Sequence, residues 1–583
     1  MLVLFWILLV IASVYMFFNR NLILGYFLEL ILISMYYLLD ISLFHGWIGI
    51  PVYIIMLWWI VSVTSPARKL KPAVRGAVHP TEVIQVRQGK LTGCISADQK
   101  TEIYTGIPYA KPPVGSLRWK EPQDPDPWTG IKRMEKFGPM AMQKETPMVF
   151  STFADLFMYK NPKRVFHDRF RPIMSEDCLY LNIWKPAGPQ HNLPVVFYIH
   201  GGSLTTGQSW WDDYDGTEYA KKGIIFITFT YRLNIFGFFA DEQLQKESDH
   251  HTTGMYGFLD QIKALQWVKE NISAFGGDPD NITIAGESAG SSCVNALCVS
   301  PLARGLFSKA IGESSSINAK HPVHSFIPFQ KALETGQKFK DSLSMQDISS
   351  LRNIPAKTLE KMDTGYETLC ALTDDGYALT ESPFDSYQKG IHNEAALLNG
   401  YNLHDGDFFA ILSGRAKKSD YRDKIKSLYH AQTDEVLKDT SVKTDKEADQ
   451  LYLKLYNPAV FTYGHYCWSR CASRLEPVYE YIFTKENKTI SSQHTGELYY
   501  CYGSWKHNPS RYHKEDRKLS DEMMSYWINF IRTGNPNGKD LPEWKTFTQD
   551  EIMELGKHTG MIRDRYHDIY QILDRIQNES PTE

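Results

Sequence analysis

Ser288 sits at the centre of Gly286-Glu287-Ser288-Ala289-Gly290. A serine between two glycines at this spacing suits nucleophilic attack on an acyl carbon, provided the segment turns sharply from strand to helix. Such a turn crowds its own backbone, and a Cβ at either glycine would clash. The flanking residues supply both elements. Residues 281–285 alternate β-branched and small side chains, the pattern of a buried strand. Ser291, Ser292 and Ala296 follow, small residues that suit a closely packed helix. A helix N-terminus behind Ser288 favours negative charge developing beside it.

Other elements must hold this turn in place. Residues 194–199 and 223–230 are continuous apolar runs, the signature of strands buried on both faces. Phe258, Ile262, Leu265 and Val268 mark the apolar stripe of a helix, which Phe275-Gly276-Gly277-Asp278-Pro279 ends. Strand, helix, strand, turn is the rhythm of a doubly wound, mostly parallel sheet with helices on both faces. Residues 88–104 read as one strand; so do 395–400 and 477–483.

Several segments resemble those of one family. They are Gly106-Ile107-Pro108-Tyr109-Ala110, Pro112-Pro113-Val114-Gly115, Leu117-Arg118-Trp119 and Ser175-Glu176-Asp177-Cys178-Leu179-Tyr180-Leu181-Asn182. Tyr231-Arg232-Leu233-Asn234, Ser300-Pro301, Gly305-Leu306-Phe307, the segment 523–534 and Trp544 continue the likeness. Over roughly residues 85 to 555 the chain resembles the type-B carboxylesterases, relatives of cholinesterases among the α/β-hydrolases. The resemblance implies an α/β-hydrolase fold and a serine, acid, histidine triad in that chain order. It implies an oxyanion hole formed by backbone N–H groups of Gly202 and Ser203, in His200-Gly201-Gly202-Ser203, and of Ala289. The family usually has a third glycine where Ser203 stands; the N–H survives, and the added Cβ either narrows the acyl site or shifts the loop.

For the acid, the family places a carboxylate, most often Glu, directly before a glycine after a strand. Asp405 before Gly406 matches that place, with Asp407 as the competitor and a plain Asp-Gly turn as the bland alternative. For the base, His494-Thr495-Gly496-Glu497-Leu498, followed by Tyr499, Tyr500 and Tyr502, resembles the family's His-x-x-Glu-Leu segment. His404 and His200 are weaker candidates. Glu287 either tunes the field at the serine or is structural. The residues Leu204, Thr205, Thr206, Trp210 and Trp211 either line the substrate pocket or belong to the core.

The composition is that of an ordinary globular protein, 43% hydrophobic and 22% charged, and a net charge of -4 gives no reason to expect nucleic acid. None of the eight cysteines stands in a Cys-x-x-Cys or Cys/His metal spacing, so neither a metal nor a cofactor is expected. Secreted relatives pair the cysteine at the place of Cys178 with one upstream. Here that region reads Met140-Ala141-Met142-Gln143, and an unpaired Cys178 agrees with a reducing compartment.

Residues 1–64 differ from the rest. Arg20, Glu29 and Asp40 are their only formal charges, and 2–18, 21–39 and 47–63 are apolar runs long enough to cross a bilayer. Met1 to Val10 lacks the Lys or Arg of a signal peptide. The expected organisation is a membrane region at 1–64 with three transmembrane helices, a linker at 65–84 and a hydrolase domain at 85–583. Arg20, Arg68, Lys69, Lys71 and Arg75 then fall on one side, which places the hydrolase domain in the cytoplasm; two spans would invert it. Glu29, inside the second run, is either functional or a helix-paired carboxyl.

The reading is a membrane-anchored serine carboxylesterase acting on a small ester, with the bilayer as its other partner. The rivals are a catalytically silent binding or adhesion protein on the same scaffold and a lipase or amidase variant. The intact triad pattern favours the enzyme, since function lives in the site rather than the fold.

Overall fold

The apolar runs at 194–199, 223–230 and 281–285 form the middle of one eleven-stranded sheet. Its strands in chain order are β1 (Cys94–Ile95), β2 (Thr101–Pro108), β3 (Tyr180–Pro186), β4 (Leu193–Ile199), β5 (Ile225–Phe229), β6 (Gly277–Glu287), β7 (Lys309–Glu313), β8 (Leu397–Asn402), β9 (Val478–Phe483), β10 (Glu551–Leu555) and β11 (Gly560–Arg563). The order across the sheet is β11-β10-β9-β8-β7-β6-β4-β5-β3-β2-β1. From β5 through β10 all neighbours are parallel; the pairs at both margins are antiparallel.

The pleat explains why the central runs are apolar throughout. Along β4, Val195, Phe197 and Ile199 enter the core on one face, and Val196 and Tyr198 the core on the other. The first face is covered by α1 (Tyr256–Asn271), α2 (Ala289–Val299) and, further along, α3 (Pro383–Gln388) and α5 (Tyr463–Ala472); α4 (Asp407–Leu412) lies between the last two in sequence. The second face is covered by α6 (Lys514–Thr533), through Met523, Trp527 and Ile531. A left-handed Gly534 at φ 78° ends α6, a conformation that favours glycine.

The computed structural model describes residues 68–74, 78–145, 171–363, 370–486 and 492–579, and before them helical pieces at 7–11, 13, 28–33, 54–57 and 60. These fall into two compact units, residues 1–70 with 144–173 and residues 71–143 with 174–583. The first unit contains a small apolar cluster of Leu9, Leu32, Leu57 and Ile60, and Ser13 Oγ donates to the buried Glu29 carboxyl at 2.6 Å. Much of the runs 2–18, 21–39 and 47–63 lies outside the described residues. Among the described residues no helix is long and apolar enough to cross a membrane.

One expected strand is corrected. Residues 88–104 are not continuous: Gly89–Thr92 joins a separate small sheet, and a turn divides β1 from β2. Asp98 makes that turn, accepting from Ser96 Oγ at 2.7 Å and from the Lys100 N–H at 3.2 Å. Such a local carboxylate bond competes with strand pairing. The eight cysteines are all buried.

Candidate active site

The carboxyl ends of the parallel strands carry the candidate residues, the usual place for a site in such a sheet. Ser288 joins β6 to α2 with φ 57° and ψ -131°, a strained geometry that lifts its side chain out of the turn. The flanking glycines permit it. A Cβ on Gly286 would meet the Gly290 backbone at 2.6 Å, and one on Gly290 would meet the Ile199 carbonyl oxygen at 2.1 Å. The Ser288 N–H donates to the Glu313 carbonyl at the end of β7, at 2.8 Å, which pins the turn to the neighbouring strand.

Three side chains from three loops converge. His494 Nε2 lies 2.9 Å from Ser288 Oγ, and His494 Nδ1 lies 2.9 Å from Asp405 Oδ1. Asp405 is fully buried, and its other oxygen accepts the Asn402 N–H at 2.7 Å. The competing residues pair with each other: His404 Nδ1 faces Asp407 Oδ2 at 3.2 Å. His200 is buried too, its Nδ1 turned to the Gly201 carbonyl at 2.9 Å and its ring stacked on Tyr231.

The glycine loop after β4 abuts the serine. A Cβ on Gly201 would stand 2.8 Å from Ser288 Cβ. Gly202 at φ 109° and Ser203 at φ 55° turn the chain back, and the Gly202 carbonyl accepts the Thr205 and Thr206 N–H groups at 3.0 Å each. The N–H groups of Gly202 and Ser203 donate to no other group among the described residues. Ala289 opens α2, where the first N–H groups of a helix lack intrahelical acceptors.

Residues 80–571 match the carboxylesterase family. The chain belongs to that family. It is 32% identical to the liver carboxylesterase of Sus scrofa over 550 residues, 86% of this chain and 94% of that one. It is 30% identical to the medium-chain fatty acyl-CoA hydrolase precursor of Anas platyrhynchos over 496 residues, 78% of this chain and 84% of that one. Among solved structures it is similar to a PNB esterase at TM-score 0.70 and 28% identity, covering 84% of this chain and 99% of the other. A Geobacillus stearothermophilus carboxylesterase gives the same TM-score, identity and coverage. The fold is therefore that of the α/β-hydrolases, and the family supports ester hydrolysis as the reaction.

In this carboxylesterase, burial governs the charges. Burial alone lowers the His494 imidazole; the Glu287 charge and the Asp405 hydrogen bond outweigh it and raise the group overall. Glu287 Oε1 stands 3.3 Å from His494 Nε2, but burial drives the Glu287 carboxyl well above its usual range. A neutral Glu287 removes its share of that lift and leaves the Asp405 hydrogen bond to raise the ring. Burial also pushes Glu313 up to about 8 and His200 down to about 4. His200 is thus neutral at ordinary pH.

Several neighbours have no motif that reveals them. Asn402, the last residue of β8, directs its side-chain amide to Asp405 Oδ1 and to the Glu497 carboxyl, which also accepts from Ser314 Oγ at 2.9 Å. Phe409 and Phe461 set their rings edgewise against His494, with centroids 5.2 and 5.5 Å away. They narrow the space around the imidazole and limit its rotation. The one available signal was Glu497, inside the segment that singled out His494.

Proposed function

We propose that this chain is a membrane-anchored serine carboxylesterase that works through an acyl-enzyme. The hydrogen-bonded line Asp405, His494, Ser288, with both links at 2.9 Å, carries the reading. His494 takes the Ser288 proton as Oγ attacks the ester carbonyl. Asp405 holds the Nδ1–H tautomer and stabilises the imidazolium. The N–H groups of Gly202, Ser203 and Ala289 receive the oxyanion, each donor contributing about 3 kcal/mol at the transition state. His494 then protonates the leaving alcohol. Water repeats the cycle on the acyl-Ser288 ester, releasing the acid.

Anchoring rests on the three apolar runs before residue 64, and the positive charges at Arg20 and Arg68 to Arg75 favour a cytoplasmic catalytic domain. The test of the chemistry is hydrolysis of a p-nitrophenyl ester series by the parent and by Ser288→Ala. The variant is expected to lose kcat by a factor on the order of 10^5 and to lose labelling by a fluorophosphonate. A well-folded parent with neither hydrolysis nor labelling would sink the enzyme reading.

A further inference from the structure

A second cluster of an imidazole and two carboxyl groups sits at the amino ends of β8 and β9, away from the candidate triad. Glu394 and His392 lie just before β8 begins at Leu397, and Glu476 just before β9 begins at Val478. Leu397 and Val478 are register partners, so the two lead-in segments run side by side. One donor atom from each of His392, Glu394 and Glu476 lies within 4.8 Å of the other two. His392 Nδ1 is 3.7 Å from Glu476 Oε2. The length of β8, about 20 Å at strand rise, separates this cluster from the end that leads to Asp405.

The hydrogen bonding of the two acids differs. Glu394 is oriented: the Tyr387 hydroxyl donates to one oxygen and the Asn393 N–H to the other at 3.2 Å. Tyr387 is fixed in turn by the Trp468 indole N–H at 2.8 Å. Glu476 has a side chain only 3% exposed, and among the described residues no N–H group or hydroxyl donates to its oxygens; what it faces is the Glu394 carboxyl. No lysine or arginine pairs with either acid among the described residues. A buried carboxyl facing a second one, with no cationic side chain beside either, must share a proton with its neighbour or take a positive charge from elsewhere.

We propose that His392, Glu394 and Glu476 bind a divalent transition-metal cation that ties the amino ends of β8 and β9 together. One imidazole nitrogen and two carboxylates are a donor set that zinc accepts. The Tyr387 hydroxyl is the outer hydrogen bond that fixes a ligating carboxylate. His392, one fifth exposed, closes the solvent side and is the way in. Its Nδ1 also lies 3.0 Å from the Glu394 carbonyl oxygen; ligation through Nδ1 gives up that contact and puts the proton on Nε2. The role is structural, because the cation sits far from the serine.

The test uses the purified full chain, stripped with a chelator, exposed to zinc chloride, desalted and analysed by plasma mass spectrometry. About one zinc per chain is expected, and Glu476→Gln should lower occupancy on the order of tenfold or more. Zinc should raise the Tm of the parent and leave that of Glu476→Gln unmoved, with ester hydrolysis the same in both. If Glu476→Gln fails to fold, His392→Asn at the partly exposed ligand gives the same readout. A parent that retains no zinc, or variants that keep it, overturn the proposal; a proton shared between the two acids then accounts for the cluster.

Discussion

The strands β8 and β9 carry a histidine and carboxyl groups at each end, and the two ends use them differently. At the carboxyl ends, Asp405 receives the Asn402 N–H and the His494 ring, and His494 passes the line on to Ser288. At the amino ends, no N–H group or hydroxyl among the described residues reaches Glu476, which faces the Glu394 carboxyl, and His392 stands 3.7 Å off. A fully bonded acid orients a base, whereas a bare one is free for a ligand. The chemistry of each cluster follows from where donors point, and only secondarily from which residues are present.

Substitutions at the carboxyl ends break the comparison most. Asp405→Asn is expected to lower kcat by a factor on the order of 10^4, since the tautomer is then wrong. The base must be neutral to act, so activity falls as pH drops through the His494 titration. Without the Asp405 anion that titration moves down, and the acid limb of kcat/KM should shift to lower pH. Gly201→Ala forces a carbon against Ser288 Cβ and should cost about a hundredfold in kcat with folding retained; an unchanged kcat would mean the glycine loop does not set the serine's position. Glu287→Gln sharpens the electrostatics. If burial keeps Glu287 neutral, as expected, the acid limb stays where it is, and a downward shift would show that Glu287 is charged. Asp407→Asn, whose carboxylate pairs with His404, should leave kcat within about twofold of the parent on the scale of surface changes.

The elbow was legible because local sequence carries it, and the base because its local segment resembles the family's. Gly286, Ser288 and Gly290 are close neighbours whose spacing only one tight turn explains, and His494 stands in a segment with Glu497. The choice of Asp405 over Asp407 required a resemblance, because two acids two residues apart look alike until Asn402 and His404 take sides. The division of residues 88–104 was illegible because Asp98 folds back on Ser96 and Lys100, a local bond that β-propensity does not report. Phe409 and Phe461 carry no signal at all, since an apolar residue beside a base reads like any core residue.

The sequence by itself determined the doubly wound sheet, the strand-to-helix turn at Ser288 and the chemical class of the site, because hydrophobic period and glycine spacing act over a few residues. Only the tertiary structure decided which carboxylate meets His494, that Glu287 is buried beside it, and that Glu476 faces the oriented Glu394 with no cationic side chain between them among the described residues. Those pairings join residues far apart in the chain, and burial, which sets whether a carboxyl stays charged, exists only once the sheet has closed over them.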